Sequence, residues 1–175
     1  MEILQGLWQA ISIDIIGPLP RSNRIDAIVV IVDQFTKIIQ LKATTMNILL
    51  EGIAKIYKNN IWKLHRVPKK ILSDQGPQFA LKFMEEFTKV LGTKRQLSMA
   101  YHPQIDGQME RINQEIGMFL RHYMNYQQDN WTDWLATAEF QYNDKKHAAI
   151  ERTPFELNFG RHPWKGDLIV QTEIP

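Results

Sequence analysis

The sequence predicts an α/β fold in which a mixed sheet is flanked by helices. Three observations lead there. The first 45 residues hold three closely spaced runs of strand character. From residue 47 the apolar spacing changes from the strand period to the helix period. Further helical stripes then alternate with short strand-length segments, the order expected of a layered sheet-and-helix domain.

The elements follow in chain order. Residues 8–16, LWQAISIDI, alternate as a strand does until Gly17-Pro18 and Pro20 break the run. Residues 25–33, IDAIVVIVD, form a dense β-branched run suited to a buried strand. Asp33-Gln34 supplies a turn, and Thr36 to Ala43 returns as a third strand, giving an antiparallel meander. Residues 47–61 carry Ile48, Leu49, Gly52, Ile53, Ile56 and Tyr57 at helical spacing. Lys69 to Ser73 is a short strand after Pro68. Pro77 opens a helix whose apolar face is Phe79, Phe83, Phe87, Val90 and Leu91, and Gly92 ends it. Gln96 to Met99 reads as a further short strand and Ala100 to Gly107 as a polar loop. Met109, Ile112, Ile116, Phe119, Leu120 and Tyr123 mark the next helix. Asn130 and Asp133 look like a capping pair for a last helix bearing Trp131, Trp134, Leu135, Ala138 and Tyr142. The tail from Thr153 holds Pro154, Gly160, Pro163, Gly166 and Pro175 and is expected to be irregular. The expected organisation is one core over residues 1–150 with a partly irregular C-terminal extension over 151–175.

Composition narrows the function classes. The 175 residues are 44% hydrophobic and 23% charged, ordinary for a globular domain that can bury its own core. There is no cysteine, which excludes disulfides, thiolate catalysis and Cys-containing zinc sites. No apolar run reaches the ~18–20 residues of a membrane span, and no targeting signal is visible. The net charge of +2 is compatible with nucleic acid but does not demand it. A local patch is more basic: residues 51–70 carry Lys55, Lys58, Lys63, Arg66, Lys69 and Lys70 against Glu51 alone. That patch fits either a solvated helix face or a phosphate-binding surface.

Three carboxylates carry the chemistry. Asp14 sits in an apolar strand between Ile13 and Ile15, where a carboxylate is costly unless paired or bound to a metal. Asp74 follows a short strand, and the carboxyl ends of strands are common active-site positions. Glu110 lies one turn into a helix at the edge of its apolar stripe. Each alone has an ordinary reading: a strand-end Asp, a turn Asp, a surface Glu. Together they could converge as hard oxygen ligands for divalent metals. A metal pair roughly 4 Å apart would activate an attacking oxygen and stabilise a leaving one.

Asp74 and Glu110 are separated by 35 residues, and the three acids resemble the D,D(35)E pattern of retroelement integrases. The surrounding words are more specific: IDIIGPLP (13–20), VDQFTK (32–37), LSDQGPQF (72–79), YHPQIDGQMERINQ (101–114), NYQQDNW (125–131), FQYN (140–143) and TPFELNFGRHP (153–163). In this order they resemble the integrase catalytic core of gypsy-class long-terminal-repeat retrotransposons, within the retroviral integrase superfamily. The resemblance implies a ribonuclease-H-like fold, with Asp14, Asp74 and Glu110 as catalytic residues and ligands of Mg²⁺, for which Mn²⁺ can substitute. It implies DNA end processing and strand transfer on retroelement ends and target DNA, by a homodimer or higher oligomer in the nucleus, with no membrane partner. Tyr101 and Gln104 in the loop, and Asn113 and Gln114 on the helix, match positions that approach DNA. Relatives carry lysines where this chain has Gln114 and Gly117, so Arg111 and Arg121 are the candidates to supply that charge. Ile105 stands where the loop word has threonine, and Ile13 and Ile15 alter the first strand's usual neighbours, leaving the triad intact. The zinc-binding and C-terminal modules of an integrase do not fit here, so a fragment or a stand-alone derivative is expected.

The remaining conspicuous residues have plainer readings. Asp33 is expected to shape a turn and not to bind metal, Trp8 to pack, and His102 to shape the loop or touch a phosphate. Trp131 and Trp134 are core or subunit-interface residues; a dimer through their helical face is the expectation to test. The competing functions are a host-adopted or inactive derivative that binds nucleic acid or partners, and a ribonuclease acting on RNA–DNA hybrids.

Overall fold

The central strand is apolar on both faces, and that sets the architecture. The computed structural model describes residues 6–65, 67–73, 75–93, 107–148 and 150–163. Four strands, β1 (Ala10–Ile16), β2 (Ala27–Asp33), β3 (Ile39–Thr44) and β4 (Lys70–Leu72), form one sheet in the order β3-β2-β1-β4. β1, β2 and β3 make the expected antiparallel meander, with Asp14 opposite Val30 and Val30 opposite Leu41. β4 joins β1 in parallel, Ser12 level with Leu72, after the crossover through the first helix. Alternation along each strand divides the side chains between two cores. Ile11, Ile13, Val29 and Ile31 face α1 (Leu50–Tyr57) and α2 (Pro77–Leu91), meeting Ile53, Tyr57, Phe83 and Phe87. Ile28, Val30, Val32, Ile39 and Leu41 face α3 (Gly107–Tyr123) and α4 (Trp131–Asp144), meeting Ile112, Ile116, Leu120, Leu135 and Ala138.

Most element boundaries fall near those read from the sequence. Pro77 is the first residue of α2, and Gly92 closes it in the left-handed conformation at φ 67°, where a side chain would be disfavoured. α1 continues into a π-helical turn, Lys58–Trp62, that buries Ile61. The proposed strand at Gln96–Met99 and the loop from Ala100 through residue 106 lie outside the described residues. None of the helices among the described residues is long and apolar enough to cross a membrane.

Three sequence expectations are corrected. Asn130 does precede α4, but its side chain caps no helical N–H. Its Oδ1 accepts instead from the Asn125 backbone N–H at 2.8 Å, closing the turn before the helix. The tail after Thr153 is not irregular at its start: α5 (Pro154–Phe159) has a full capping box, with Thr153 Oγ1 accepting from Glu156 N–H and Glu156 Oε2 from Thr153 N–H. Pro154 at its first position and Gly160 just past its end complete a helix signal in which proline and glycine act as boundaries, not breakers. Trp131 is not free to face a partner. It is 1% exposed, and its indole N–H donates to the Pro20 carbonyl at 2.7 Å. Trp134 is half-buried and packs tilted against Tyr123, with ring centroids 5.3 Å apart.

Trp8 packs as expected, stacked on His65 and donating its indole N–H to Asn158. Asp33 also takes its structural reading. Its buried carboxylate accepts from the N–H groups of Trp8, Phe35 and Thr36 and from the Thr36 hydroxyl.

β3 is an edge strand, and α4 covers its free backbone groups with side chains. Asn143 accepts from Ile39 N–H at 2.9 Å and donates to Ile39 C=O at 3.0 Å, imitating a neighbouring strand. Glu139 accepts from Leu41 N–H at 2.7 Å. Burial pushes the Glu139 carboxyl above the usual carboxylate range, against the pull of the Leu41 N–H and of Lys42.

Two predictions follow from this edge. Asn143→Ala leaves a buried N–H and C=O without partners, so urea unfolding should show a loss of about 2 kcal/mol. A raised native-state pKa means that the folded chain holds the Glu139 proton more tightly than the unfolded chain does. Wild-type stability should therefore fall as pH rises from the unfolded glutamate range through the Glu139 pKa. Glu139→Gln keeps an acceptor for Leu41 and removes the charge. In thermal melts against pH its advantage over wild type should grow across that window and level off above it.

Candidate active site

Asp14 lies in the second half of β1, on the face turned toward α3, because Ile11 and Ile13 occupy the opposite face. The carboxylate is half-buried and held at both oxygens. Oδ1 accepts from the Ile15 N–H at 2.8 Å, and Oδ2 accepts from Asn113 Nδ2 at 2.6 Å. Asn113 stands on α3 three residues after Glu110, so the helix that carries the second acid is hydrogen-bonded directly to the first.

α3 presents a polar stripe beside its apolar one. At about 100° per residue, Glu110, Asn113, Gln114, Gly117 and Arg121 fall within roughly a quarter-turn of one another, while Arg111 is about 100° away from Glu110. Ile112, Ile116 and Leu120 anchor the other side of the helix in the core. Glu110 is exposed, with the Gln114 amide donating to its Oε1 at 3.3 Å. A Cβ added at Gly117 would stand 3.4 Å from the Arg121 guanidinium. Arg121 thus reaches back along the helix over Gly117, and puts a cation beside the position where the sequence lacks a lysine.

β4 ends at Leu72 beside Ser12, at the same end of the parallel β1–β4 pair as Asp14, and the chain turns at once: Gln75 N–H bonds to Ser73 Oγ and Gly76 N–H to Ser73 C=O. Asp74, between them in the chain, lies outside the described residues, as do Tyr101 and Gln104. Of the residues read from the sequence, the structure joins Asp14 to Asn113 and, along the same helix, Gln114 to Glu110. Arg111 is exposed on a neighbouring face of the helix. The basic segment 51–70 is partly spent on internal contacts. Lys55 pairs with Glu51, and Lys58 donates to the Val90 carbonyl at 3.0 Å.

The donor set suits a hard divalent cation. Asp14 and Glu110 offer carboxylate oxygens, and Asn113 Oδ1 is a buried amide oxygen with no hydrogen-bond partner among the described residues. Among the described residues no group of three His, Cys, Asp or Glu is gathered as a metal site; the third acid of the expected set, Asp74, is not among them.

Polar contacts that the sequence reading passed over frame the site. Lys37 Nζ donates to Gln108 Oε1 at 2.9 Å, joining the β2–β3 turn to the first turn of α3. Gln34, in the same turn, donates to the Ser12 hydroxyl on β1. Both residues belong to VDQFTK, of which Asp33 and Gln34 were read only as a turn and Lys37 was given no role. The signal was a polar turn with a lysine at its close.

Comparison with known proteins agrees with this architecture. No family model matches the sequence. The Tf2-3 and Tf2-4 transposon polyproteins of Schizosaccharomyces pombe are each 31% identical over 150 residues, which is 86% of this chain and 11% of theirs. The chain thus spans about a tenth of the length of the curated relatives it matches. Among solved structures, the HTLV-2 integrase catalytic core domain in complex with magnesium superposes with a TM-score of 0.57 at 19% identity, covering 85% of this chain and 95% of that one. The BIV integrase catalytic core domain gives 0.56 at 18% identity, covering 86% and 93%. A simian T-cell lymphotropic virus intasome chain gives 0.62 at 18% identity, covering 95% of this chain and 62% of that one. These structural matches establish the fold, and the polyprotein match gives the lineage: the chain has the ribonuclease-H-like fold of integrase cores and is homologous to one segment of retrotransposon polyproteins.

Proposed function

We propose that this domain cuts and joins DNA strands by metal-dependent phosphoryl transfer, processing retroelement ends and inserting them into target DNA, an activity whose place would be the nucleus. The observation that carries this reading is the Asn113–Asp14 hydrogen bond, which ties the β1 carboxylate to the helix that bears Glu110. Asp14, Asp74 and Glu110 would hold Mg²⁺, or Mn²⁺ in its place. When bound, a metal pair supplies Lewis-acid activation of the attacking oxygen and stabilises the leaving one.

The chain's own residues do the positioning. Asn113 and the Ile15 N–H leave Asp14 little freedom to rotate, so its oxygens are oriented before any substrate arrives. This gives Asn113 a positioning task beside the DNA contact that the resemblance implies: one of its two amide N–H groups is engaged by Asp14. Arg121, folded over Gly117 on the Glu110 side of α3, is the better placed of the two arginines to meet a phosphate beyond the acids. Tyr101, Gln104 and Gln114 are proposed to contact DNA on the resemblance. The solved relatives include dimeric and trimeric core forms. A homo-oligomer is proposed here as well, through a surface other than Trp131, which the monomer's own core encloses.

The direct test is disintegration of a branched DNA substrate by the 175-residue chain in Mg²⁺ or Mn²⁺. Asp14→Asn and Glu110→Gln should each lower the rate by at least about 10²-fold while leaving the circular dichroism spectrum unchanged. Near-normal metal-dependent cleavage by either variant would overturn the assignment of that residue. A wild-type chain that binds DNA but never cleaves it would favour the alternative, a derivative kept as a binding module.

DNA affinity should be largely independent of sequence and steeply dependent on salt, because cationic contacts to phosphates release counterions. Arg121→Glu should reduce the slope of log K against log salt by roughly 1, and Arg111→Glu by less. Equal slopes for wild type and Arg121→Glu, measured by fluorescence anisotropy, would remove Arg121 from the DNA-binding face.

A further inference from the structure

The β2–β3 turn is built with unusual economy of freedom. The Asp33 carboxylate collects three backbone N–H groups and the Thr36 hydroxyl, and the Thr36 hydroxyl in turn accepts from Ile38 N–H. Lys37 N–H bonds to Asp33 C=O at 2.9 Å, and Asp33 N–H bonds to Ile38 C=O at 3.0 Å. Lys37 closes this turn at φ 64°, the left-handed region that glycine occupies at no steric cost and a lysine does not. Its side chain is half-buried, although an ammonium group ordinarily extends into water.

That side chain lies 3.5 Å from Gln34 Oε1 in its own turn, and its shorter contact is long-range. Lys37 Nζ donates to Gln108 Oε1 at 2.9 Å across 71 positions of sequence. Gln108 is the second residue of α3, two before Glu110. One turn further on, Asn113 binds Asp14. Glu110 therefore stands between two ties, one from the first turn of α3 to the β2–β3 turn and one from its second turn to β1. The turn is itself fastened to β1, because Gln34 donates to the buried Ser12 hydroxyl two residues before Asp14.

We propose that Lys37 is a positioning residue for the Glu110 carboxylate, acting through Gln108 to fix the start of α3 against the sheet. The proposal rests on the reading of Asp14 and Glu110 as metal ligands. A rigid turn, a lysine in a left-handed conformation and a bond to the residue next but one to the acid together make a strut. Without it the first helical turn has one tie fewer to the sheet, and Glu110 loses registration with Asp14. A metal site tolerates such looseness poorly, because carboxylates that are not pre-placed must be ordered by the ion itself.

The readout is the Mn²⁺-dependent rise in Tm of the whole chain, which reports metal binding to the folded state without DNA or turnover. Wild type should show a saturable rise, and Glu110→Gln should flatten it. Lys37→Met should shift the half-saturating Mn²⁺ concentration upward by about tenfold, within the range of coupling through a shared hydrogen bond. Gln108→Ala, which touches only the helical end of the strut, should give the same shift, and the double variant should be no worse than either. Lys37→Arg, which keeps a cationic donor, should recover most of the wild-type value. If wild type shows no Mn²⁺ response, the metal-ligand reading fails and the strut with it. If wild type responds and Glu110→Gln does not, while Lys37→Met and Gln108→Ala titrate like wild type, only the strut is refuted. It is refuted equally if Lys37→Met leaves the Mn²⁺ titration alone but weakens DNA binding, the behaviour of a phosphate contact.

Discussion

Every residue of β2 is buried, and this constraint organises the rest of the domain. A strand that is apolar on both faces cannot meet water on either, so the sheet must be covered on both sides. α1 and α2 supply one cover and α3 and α4 the other. Once both covers are in place, the period of two along β1 decides which residues see which helices. Ile11 and Ile13 go to the α1–α2 side, and Asp14 goes to the α3 side. The acid in β1 therefore faces the helix that carries the acid of α3, as a consequence of how the sheet is buried.

Burying a sheet so fully leaves polar groups to be satisfied inside. Asp33 does this for the β2–β3 turn, with both carboxylate oxygens engaged. Asn143 and Glu139 do it for the open edge of β3, where side chains from α4 take the place of a fifth strand. The two devices differ in cost. Asn143 is neutral and pairs both its donor and its acceptor. Glu139 brings a charge into a desolvated position, and burial there pushes its carboxyl pKa upward. The same accounting applies at the candidate site. Asp14 is stabilised by an amide and a backbone N–H, while Asn113 keeps a buried oxygen without a partner among the described residues. An unsatisfied acceptor beside a carboxylate is costly in isolation and useful where a cation is to be received.

The turn at 33–37 links these two themes. Its interior is fixed by Asp33, and its outer end carries Lys37 to the beginning of α3. A purely structural turn would need only the first of these features. The second joins the meander to the helix of the second acid and makes the geometry of the site depend on a residue distant from it in sequence.

Much of this was legible in the sequence. β-branched density marked β2 as buried on both faces, proline and glycine bounded α2, and the apolar stripe of α3 was read residue by residue. Asp14 and Glu110 each have an ordinary reading alone, and they were singled out together, through the D,D(35)E pattern that the chain resembles. The signals for the elements are local, since period and capping residue can both be read within a few turns of chain. Even so, α5 was missed, because proline and glycine were read as breakers where a threonine cap and Glu156 made them boundaries. Tertiary structure alone decided which partner each side chain met. Helical spacing put Trp131 on a stripe, but only packing against β2 and the Pro20 carbonyl made it core and closed it to a partner subunit. Asn113 matched a DNA-facing position, yet the approach of α3 to β1 gave its amide to Asp14. The joining of Lys37 to Gln108 and of Asn143 to Ile39 spans 71 and 104 positions, and no local period encodes such a distance. Sequence fixes which face of an element is polar; the packing of one element on another determines what that face touches.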